Sequence, residues 1–205
     1  MSASTLSFLV VEDEMGVRRL LGRGLAPHGQ VEVVGTCAAA RMSLRVRQYD
    51  AMIVDVHLPD GSGLDLIPVA TTRSPNIVVL VLTGSTDHEV IGRTLQEGAR
   101  YLLKPFDARH LATLAHEVRG RQEAGERRIQ LTLQRWQKDL DLSGTELELL
   151  ELGARGLTRD KFAQQRRVRP DTVRKQIQTL LQKTGDDTFE GAVNSLLREA
   201  VSEPI

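Results

Sequence analysis

Four short apolar runs in the first half of this sequence each end in a side chain suited to phosphate or to a hard cation. Phe8-Leu9-Val10-Val11 runs into Glu12-Asp13, and Ala51-Met52-Ile53-Val54 into Asp55. Val78 through Leu82 runs into Thr83, and Tyr101-Leu102-Leu103 into Lys104. Carboxylate oxygens are the ligands that a small divalent cation such as magnesium takes. A lysine ammonium offers a point charge to a phosphate oxygen, and a hydroxyl offers a hydrogen bond. Asp55 is the centre of the set. It closes an apolar, β-branched run, and Pro59 with Asp60-Gly61 then stops regular structure. An acid in that position lies at the carboxyl edge of a parallel sheet, where open α/β folds bind ligands. Singly, each of these residues reads as a helix cap or a solvated turn. Together, at the ends of strands of one sheet, they are the inventory for a magnesium ion beside a phosphoryl group.

The elements that must position them alternate. Met15 to Leu25 has apolar residues at helical spacing and ends at Pro27 and Gly29; Val31 to Val34 is a second strand and Ala38 to Val46 a second helix. A third helix is expected to begin over Gly63 to Ala70, a fourth to run from Asp87 to Glu97 and stop at Gly98, and a fifth to start at Ala108, capped by Asp107. Five β-then-α units imply a parallel sheet with right-handed crossovers and helices on both faces. The flavodoxin-like strand order 2-1-3-4-5 sets strands 1 and 3 side by side and brings Glu12, Asp13 and Asp55 to the switch point.

From about Arg119 to Leu140 the sequence is charged and helix-prone. Leu111, Leu114, Val118, Gly125, Ile129, Leu133 and Trp136 follow a rough three-four repeat. Two readings stay open there: a helical linker resting one face on a neighbouring domain, or a coiled-coil seam that Gly120 and Gly125 weaken. Beyond Leu142 everything reads as helix. Ser143 and Glu146 form a capping box, Gly156 ends one helix, Thr158 caps the next, Pro170 opens a third in its first turn, and Gly185 closes it. A last amphipathic helix runs from Phe189 to Val201. Two short helices about a tight turn, the second rich in basic residues, make a helix-turn-helix candidate.

At 205 residues the chain has room for two domains, and 40% apolar with 26% charged residues is a composition that supports a packed core rather than disorder. Net charge is zero, but Arg155 to Lys183 carries nine Lys and Arg against two acids. That concentration suits a polyanionic partner in spite of the overall balance. The one cysteine, Cys37, excludes a disulfide framework and a cysteine zinc site. The apolar runs are far shorter than the roughly 20 residues of a membrane span, and no signal peptide is visible. The expectation is a cytoplasmic protein without a membrane partner.

Residues 5–119 resemble the receiver domain of two-component response regulators. The matching pieces are Val11-Glu12-Asp13-Glu14, Asp55 with Pro59 and Gly63, Thr83-Gly84, and Gly98 through Phe106 with Tyr101-Leu102-Leu103-Lys104-Pro105. The resemblance implies that Asp55 is the phosphoacceptor, taking its phosphoryl group from a sensor histidine kinase. It implies Mg2+ held by Glu12, Asp13, Asp55 and the backbone carbonyl of His57. Thr83 and Lys104 are then the phosphate-binding pair, and Thr83 with Tyr101 the switch pair. His57 stands two residues after Asp55, a position that in this family tunes phosphate lifetime. The same position argues against an aspartate-nucleophile phosphatase of the haloacid-dehalogenase kind, which needs an acid there. No enzyme activity of that kind is expected.

Residues from about 141 to 201 resemble the LuxR-type helix-turn-helix domain of FixJ/NarL regulators. The resemblance rests on Leu142 to Glu146, Gly156-Leu157-Thr158, Phe162-Ala163 and Asp171 to Ile177. DNA contacts are then expected from Lys161, Arg166, Arg169, Thr172, Val173, Arg174, Lys175 and Gln178. Arg and Gln can read base edges, while Thr172, Lys161, Arg166 and Arg169 suit phosphates. Arg166-Arg167 departs from the family, which places an apolar residue and often a glycine there. The expected whole is a receiver over 1–119, a helical linker over 120–140 and a DNA-binding domain over 141–205. Phosphorylation is expected to favour a homodimer on double-stranded DNA. The rival is a drifted C-terminal domain that acts through protein contacts.

Overall fold

The computed structural model describes residues 5–84, 88–157 and 159–202. The chain divides into two compact units, Met1–Gln122 and Glu123–Ile205. In the first, β1 (Leu6–Val11), α1 (Met15–Leu25), β2 (Gly29–Val34), α2 (Cys37–Val46), β3 (Ala51–Asp55), α3 (Ile67–Arg73), β4 (Val78–Thr83), α4 (His88–Gln96) and β5 (Arg100–Leu103) follow one another. α5 (Ala108–Asp139) comes next. The five strands form one parallel sheet, as the alternation predicts, in the expected flavodoxin-like order β2-β1-β3-β4-β5. A two-residue antiparallel ribbon, His57–Leu58 with Gly61–Ser62, follows β3.

Period-two alternation along the strands splits the core between the two faces of the sheet. Phe8, Val10, Ala51, Ile53, Leu80 and Leu82 pack with Leu21 and Leu25 of α1 and with Leu111, Leu114, Ala115 and Val118 of α5. Leu9, Val11, Met52, Val54, Val79 and Val81 pack with Ala40 and Leu44 of α2 and with Ile67 and Ala70 of α3. Strands buried on both faces read as continuous apolar runs, which is why their ends were plain in the sequence. The third helix differs from expectation. Gly63–Leu66 is a 3-10 turn and α3 begins at Ile67, with Pro68 in its first turn. An α-helix begun at Gly63 would set the proline ring against the carbonyl of Leu64.

Gly120 and Gly125 lie inside the continuous helix α5. Each costs helix about 1 kcal/mol. Buried residues on both sides of them outweigh that, Leu111 to Val118 in the first unit and Leu133 with Trp136 in the second. Of the residues of the three-four repeat, Leu111, Leu114, Val118, Leu133 and Trp136 are buried and Ile129 is partly buried, while a Cβ on Gly125 would meet nothing within 4 Å.

The second unit also contains α6 (Gly144–Ala154), α7 (Arg159–Arg166), α8 (Pro170–Thr184) and α9 (Phe189–Ser202). Its core joins Leu149, Leu150, Phe162, Val173, Ile177, Leu180, Phe189, Ala192 and Leu196 to Leu133 and Trp136. The Ser143–Glu146 capping box is formed, and Gly156 and Gly185 take positive φ at the ends of α6 and α8. Asp87 and Thr158, expected to open α4 and to cap α7, lie outside the described residues. Among the described residues no helix is long and apolar enough to cross a membrane.

Candidate functional site

Strands β1 and β3 are neighbours, with Val11 opposite Val54, so the residues after Val11 stand beside Asp55. The N–H of Glu12 still pairs with the carbonyl of Val34 at 3.0 Å, which carries its side chain into the interior. Glu12 is fully buried, Asp55 is 7% exposed and Asp13 is exposed. One oxygen from each of the three lies within 4.8 Å of the other two. Lys104 comes one residue after β5, two strands away. Its N–H donates to the carbonyl of Thr83 at 2.8 Å, and its ammonium passes the end of β4 to reach Asp55 at 2.7 Å and Glu12 at 2.8 Å.

Charge in this pocket is unbalanced, with three carboxylates facing one ammonium. Burial raises the pKa of Glu12 above the ordinary value, and Asp55 adds to the rise, while hydrogen bonds from Lys104 and Glu14 oppose it. Burial opposes the charge on Lys104, but hydrogen bonds to Asp55 and Glu12 outweigh it and hold the ammonium above the ordinary lysine value. Burial is the main cause at Glu12, and the two carboxylates are what hold the Lys104 ammonium charged.

Other predicted residues surround this centre. The backbone N–H of His57 donates to Asp55 Oδ1 at 3.3 Å, and the residue itself is exposed. Thr83 is fully buried at the end of β4, and Tyr101 is 40% exposed on β5, opposite Val81. Two contacts were not legible in the sequence. Gly63 donates to the carbonyl of Val56 at 2.9 Å, and a Cβ on it would meet the Asp55 carbonyl oxygen at 1.9 Å. Asp60, which the sequence shows only as a turn residue, accepts from the N–H groups of Cys37 at 2.7 Å and Ala38 at 2.8 Å, tying the loop after Asp55 to the first turn of α2. Those N–H groups hold its carboxyl below the ordinary range. A partner more than twenty residues away leaves no local spacing to read.

In the second unit Thr172, Arg174, Lys175 and Gln178 are exposed on α8, and Lys161, Arg166 and Arg169 are exposed on and after α7. Val173 does not share that surface. It is 2% exposed and packs in the core with Ile177 and Leu180, four and seven residues on, so it belongs to the apolar stripe of α8 rather than to its outward face. Arg166 forms an ion pair with Glu148 of α6, and Arg174 lies 3.4 Å from Asp171. Arg167, absent from the expected set, has a positive φ of 53°.

The model of the response regulator receiver domain matches residues 8–116. The DNA-binding transcriptional regulator NtrC of a Bradyrhizobium strain is 32% identical over 110 residues, 53% of this chain and 23% of that protein. The DNA-binding transcriptional activator DevR/DosR of Mycobacterium tuberculosis is 29% identical over 188 residues, 86% of this chain and 87% of that protein. Among solved structures, the chemotaxis response regulator CheY4 of Vibrio cholerae aligns with 56% of this chain and 99% of its own at a TM-score of 0.52 and 23% identity, a likeness of fold. The chain spans about a quarter to a half of several curated relatives that it matches and most of DevR/DosR.

Proposed function

The chain belongs to the response regulator receiver family, and on that premise we propose that Asp55 accepts a phosphoryl group from a sensor histidine kinase and thereby switches DNA binding by the second unit. The observation that carries the reading is the convergence of Lys104 on Asp55 and Glu12, from two strands away along the same edge of the sheet. In the transfer a carboxylate oxygen of Asp55 attacks phosphorus, an acyl phosphate bond forms, and the phosphorus–nitrogen bond of the kinase phosphohistidine breaks with its electron pair left on nitrogen. Lys104 neutralises a phosphate oxygen, and the Thr83 hydroxyl donates to another. Such transfers depend on alignment and charge neutralisation more than on a protein base.

The donor set fits magnesium. It is all oxygen, its carboxylates are close enough to share one ion, and its surplus negative charge calls for a second cation beside Lys104. Asp13 and Asp55 would bind the ion directly, Glu12 would hold one of its waters, and the His57 carbonyl would complete the protein ligands. When bound, the ion supplies positive charge against the phosphoryl oxygens.

Phosphate on Asp55 draws Thr83 toward it, and the ring of Tyr101 moves into the space released. That repacks the α4–β5 face and favours a homodimer, so that two α8 helices reach two half-sites of double-stranded DNA in the cytoplasm. The names of NtrC and DevR/DosR, both DNA-binding regulators, support transcription as the output. A second reading, output through protein contacts, is favoured by the Arg166–Glu148 pair, which occupies a cation otherwise suited to phosphate. Two measurements decide. Incubation with a phosphorylated kinase should give acid-labile phosphate on the wild type and none on Asp55→Asn; equal labelling rejects the site. Beryllofluoride should strengthen salt-sensitive binding to a DNA duplex, and an absence of such binding selects the second reading.

A further inference from the structure

The turn between α7 and α8 holds an arginine at a position that glycine takes after α4, α6 and α8 and a short aspartate, Asp141 at φ 51°, takes after α5. Helix α4 closes with two hydrogen bonds, Ala99 N–H to Thr94 and Gly98 N–H to Leu95, both at 3.0 Å. Helix α6 closes in the same way, Leu157 to Leu152 at 3.0 Å and Gly156 to Gly153 at 2.9 Å. The motif needs one residue with positive φ, and Gly98 at 71° and Gly156 at 75° provide it. Helix α7 repeats both bonds, Val168 to Ala163 at 3.1 Å and Arg167 to Gln164 at 3.2 Å, with Arg167 at 53° in the glycine position. A side chain there crowds its own backbone, and glycine would relieve the crowding. A strained residue that persists where an easy alternative exists points to a task for its side chain.

Charge supplies the second observation. Several neighbouring cations have carboxylate partners: Arg155 with Glu151, Arg159 with Glu190, Arg166 with Glu148, Arg174 with Asp171 and Lys183 with Glu146. Arg167, like Lys161, Arg169 and Lys175, is exposed and forms no ion pair with a carboxylate among the described residues, and of these four only Arg167 has a positive φ. It immediately precedes Val168-Arg169, which leads into α8. We infer that Arg167 is a DNA-phosphate contact added by this chain to its helix-turn-helix, and that the strained turn is retained for it. The inference rests on the DNA-binding reading above. Its contact is to the backbone of the duplex, so it strengthens binding to any sequence and reads none.

The test uses the full chain with beryllofluoride and a labelled random-sequence duplex, with affinity followed by anisotropy through a salt series. Arg167→Gly should bind several-fold more weakly at low salt and flatten the slope of log affinity against log salt by about 0.9, the share of one phosphate. Its melting temperature should equal or exceed that of the wild type. Arg167→Lys, which keeps the charge, should keep the slope. Wild-type affinity and slope in Arg167→Gly would overturn the inference and leave the DNA-binding reading standing. Equal losses in Arg167→Gly and Arg167→Lys would also overturn it, because the effect would then belong to the turn and not to the charge. If the wild type shows no salt-sensitive binding, both readings fall.

Discussion

The Cβ that Gly63 lacks would stand 1.9 Å from the carbonyl oxygen of Asp55. The obstacle is backbone at the end of β3, with the Asp55 carbonyl carbon at 3.0 Å behind the oxygen, so nothing there can rotate aside. The chain after the phosphoacceptor thus folds back on it at a separation only glycine allows. Gly63→Ala is expected to cost about 3 kcal/mol and to slow phosphoryl uptake, because the strand end must move. Gly92→Ala is the control. It lies in α4 with nothing within 4 Å of the added carbon, and should stabilise by up to about 1 kcal/mol. Urea unfolding followed by far-ultraviolet circular dichroism compares the two; a Gly63→Ala midpoint equal to that of the wild type contradicts the steric argument.

Lys104 is the resident counter-charge of two buried carboxylates. Lys104→Gln leaves Glu12, which is fully buried, and Asp55 without it, and is expected to lower stability by about 1–3 kcal/mol at neutral pH. Added Mg2+ should raise the melting temperature of the wild type by mass action on the folded state. It should raise that of Lys104→Gln by more, because the three carboxylates then face the ion with no competing ammonium. Melting curves over a magnesium series, with calcium as a second ion, measure this. An identical response of wild type and variant would separate Lys104 from the cation site.

How much of this was legible in the sequence depended on the range of each interaction. Strand ends at Val11, Asp55 and Thr83 are plain because apolar runs stop there; alternation gives the parallel sheet, the flavodoxin-like order brings Glu12, Asp13 and Asp55 together, and Lys104 joins them across two strands. The 3-10 turn at Gly63–Leu66 was decided by Pro68 and by the close approach to Asp55, and the second of these exists only after folding. Spacing sets Val173 in the apolar stripe of α8 at the edge of its outward face, and its burial in the core removes it from the expected DNA contacts. The Arg166–Glu148 pair joins two helices and has no signature in spacing. The continuity of α5 through Gly120 and Gly125 was set by packing against local propensity.

Asp60 links the loop after Asp55 to α2, accepting from the N–H groups of Cys37 and Ala38. Asp60→Ala removes both acceptors from a helix terminus whose N–H groups have no partner within the helix. Amide hydrogen exchange at Cys37 and Ala38 should accelerate, and phosphorylation of Asp55 should slow as the ribbon His57–Leu58 with Gly61–Ser62 loosens. Asp60→Asn keeps one carbonyl oxygen and should fall between. Unchanged exchange in Asp60→Ala would show that the loop is held by other means.

Glu146 gives the second unit a pH dependence of defined sign. Its burial raises the pKa, but the hydrogen bond from Lys183 at 2.9 Å and those from the Ser143 N–H at 2.7 Å and Ser143 hydroxyl at 2.8 Å together outweigh it, and the folded-state pKa lies below the ordinary 4.5. A carboxyl lowered on folding stabilises the fold above its unfolded pKa, and the contribution is lost as pH falls through the folded value. The second unit should therefore be insensitive to pH through Glu146 near neutrality and weaken below about 4.5. Glu146→Gln should cost about 1–2 kcal/mol at neutral pH, because it leaves the Lys183 ammonium without its charged partner, and should flatten the acid limb. Trp136, the one tryptophan, is 8% exposed in that same core, so its fluorescence reports this unit. Urea midpoints from that signal at neutral and acid pH should converge between wild type and variant as the acid is titrated. A constant gap between the two would mean that Glu146 acts by packing rather than by charge.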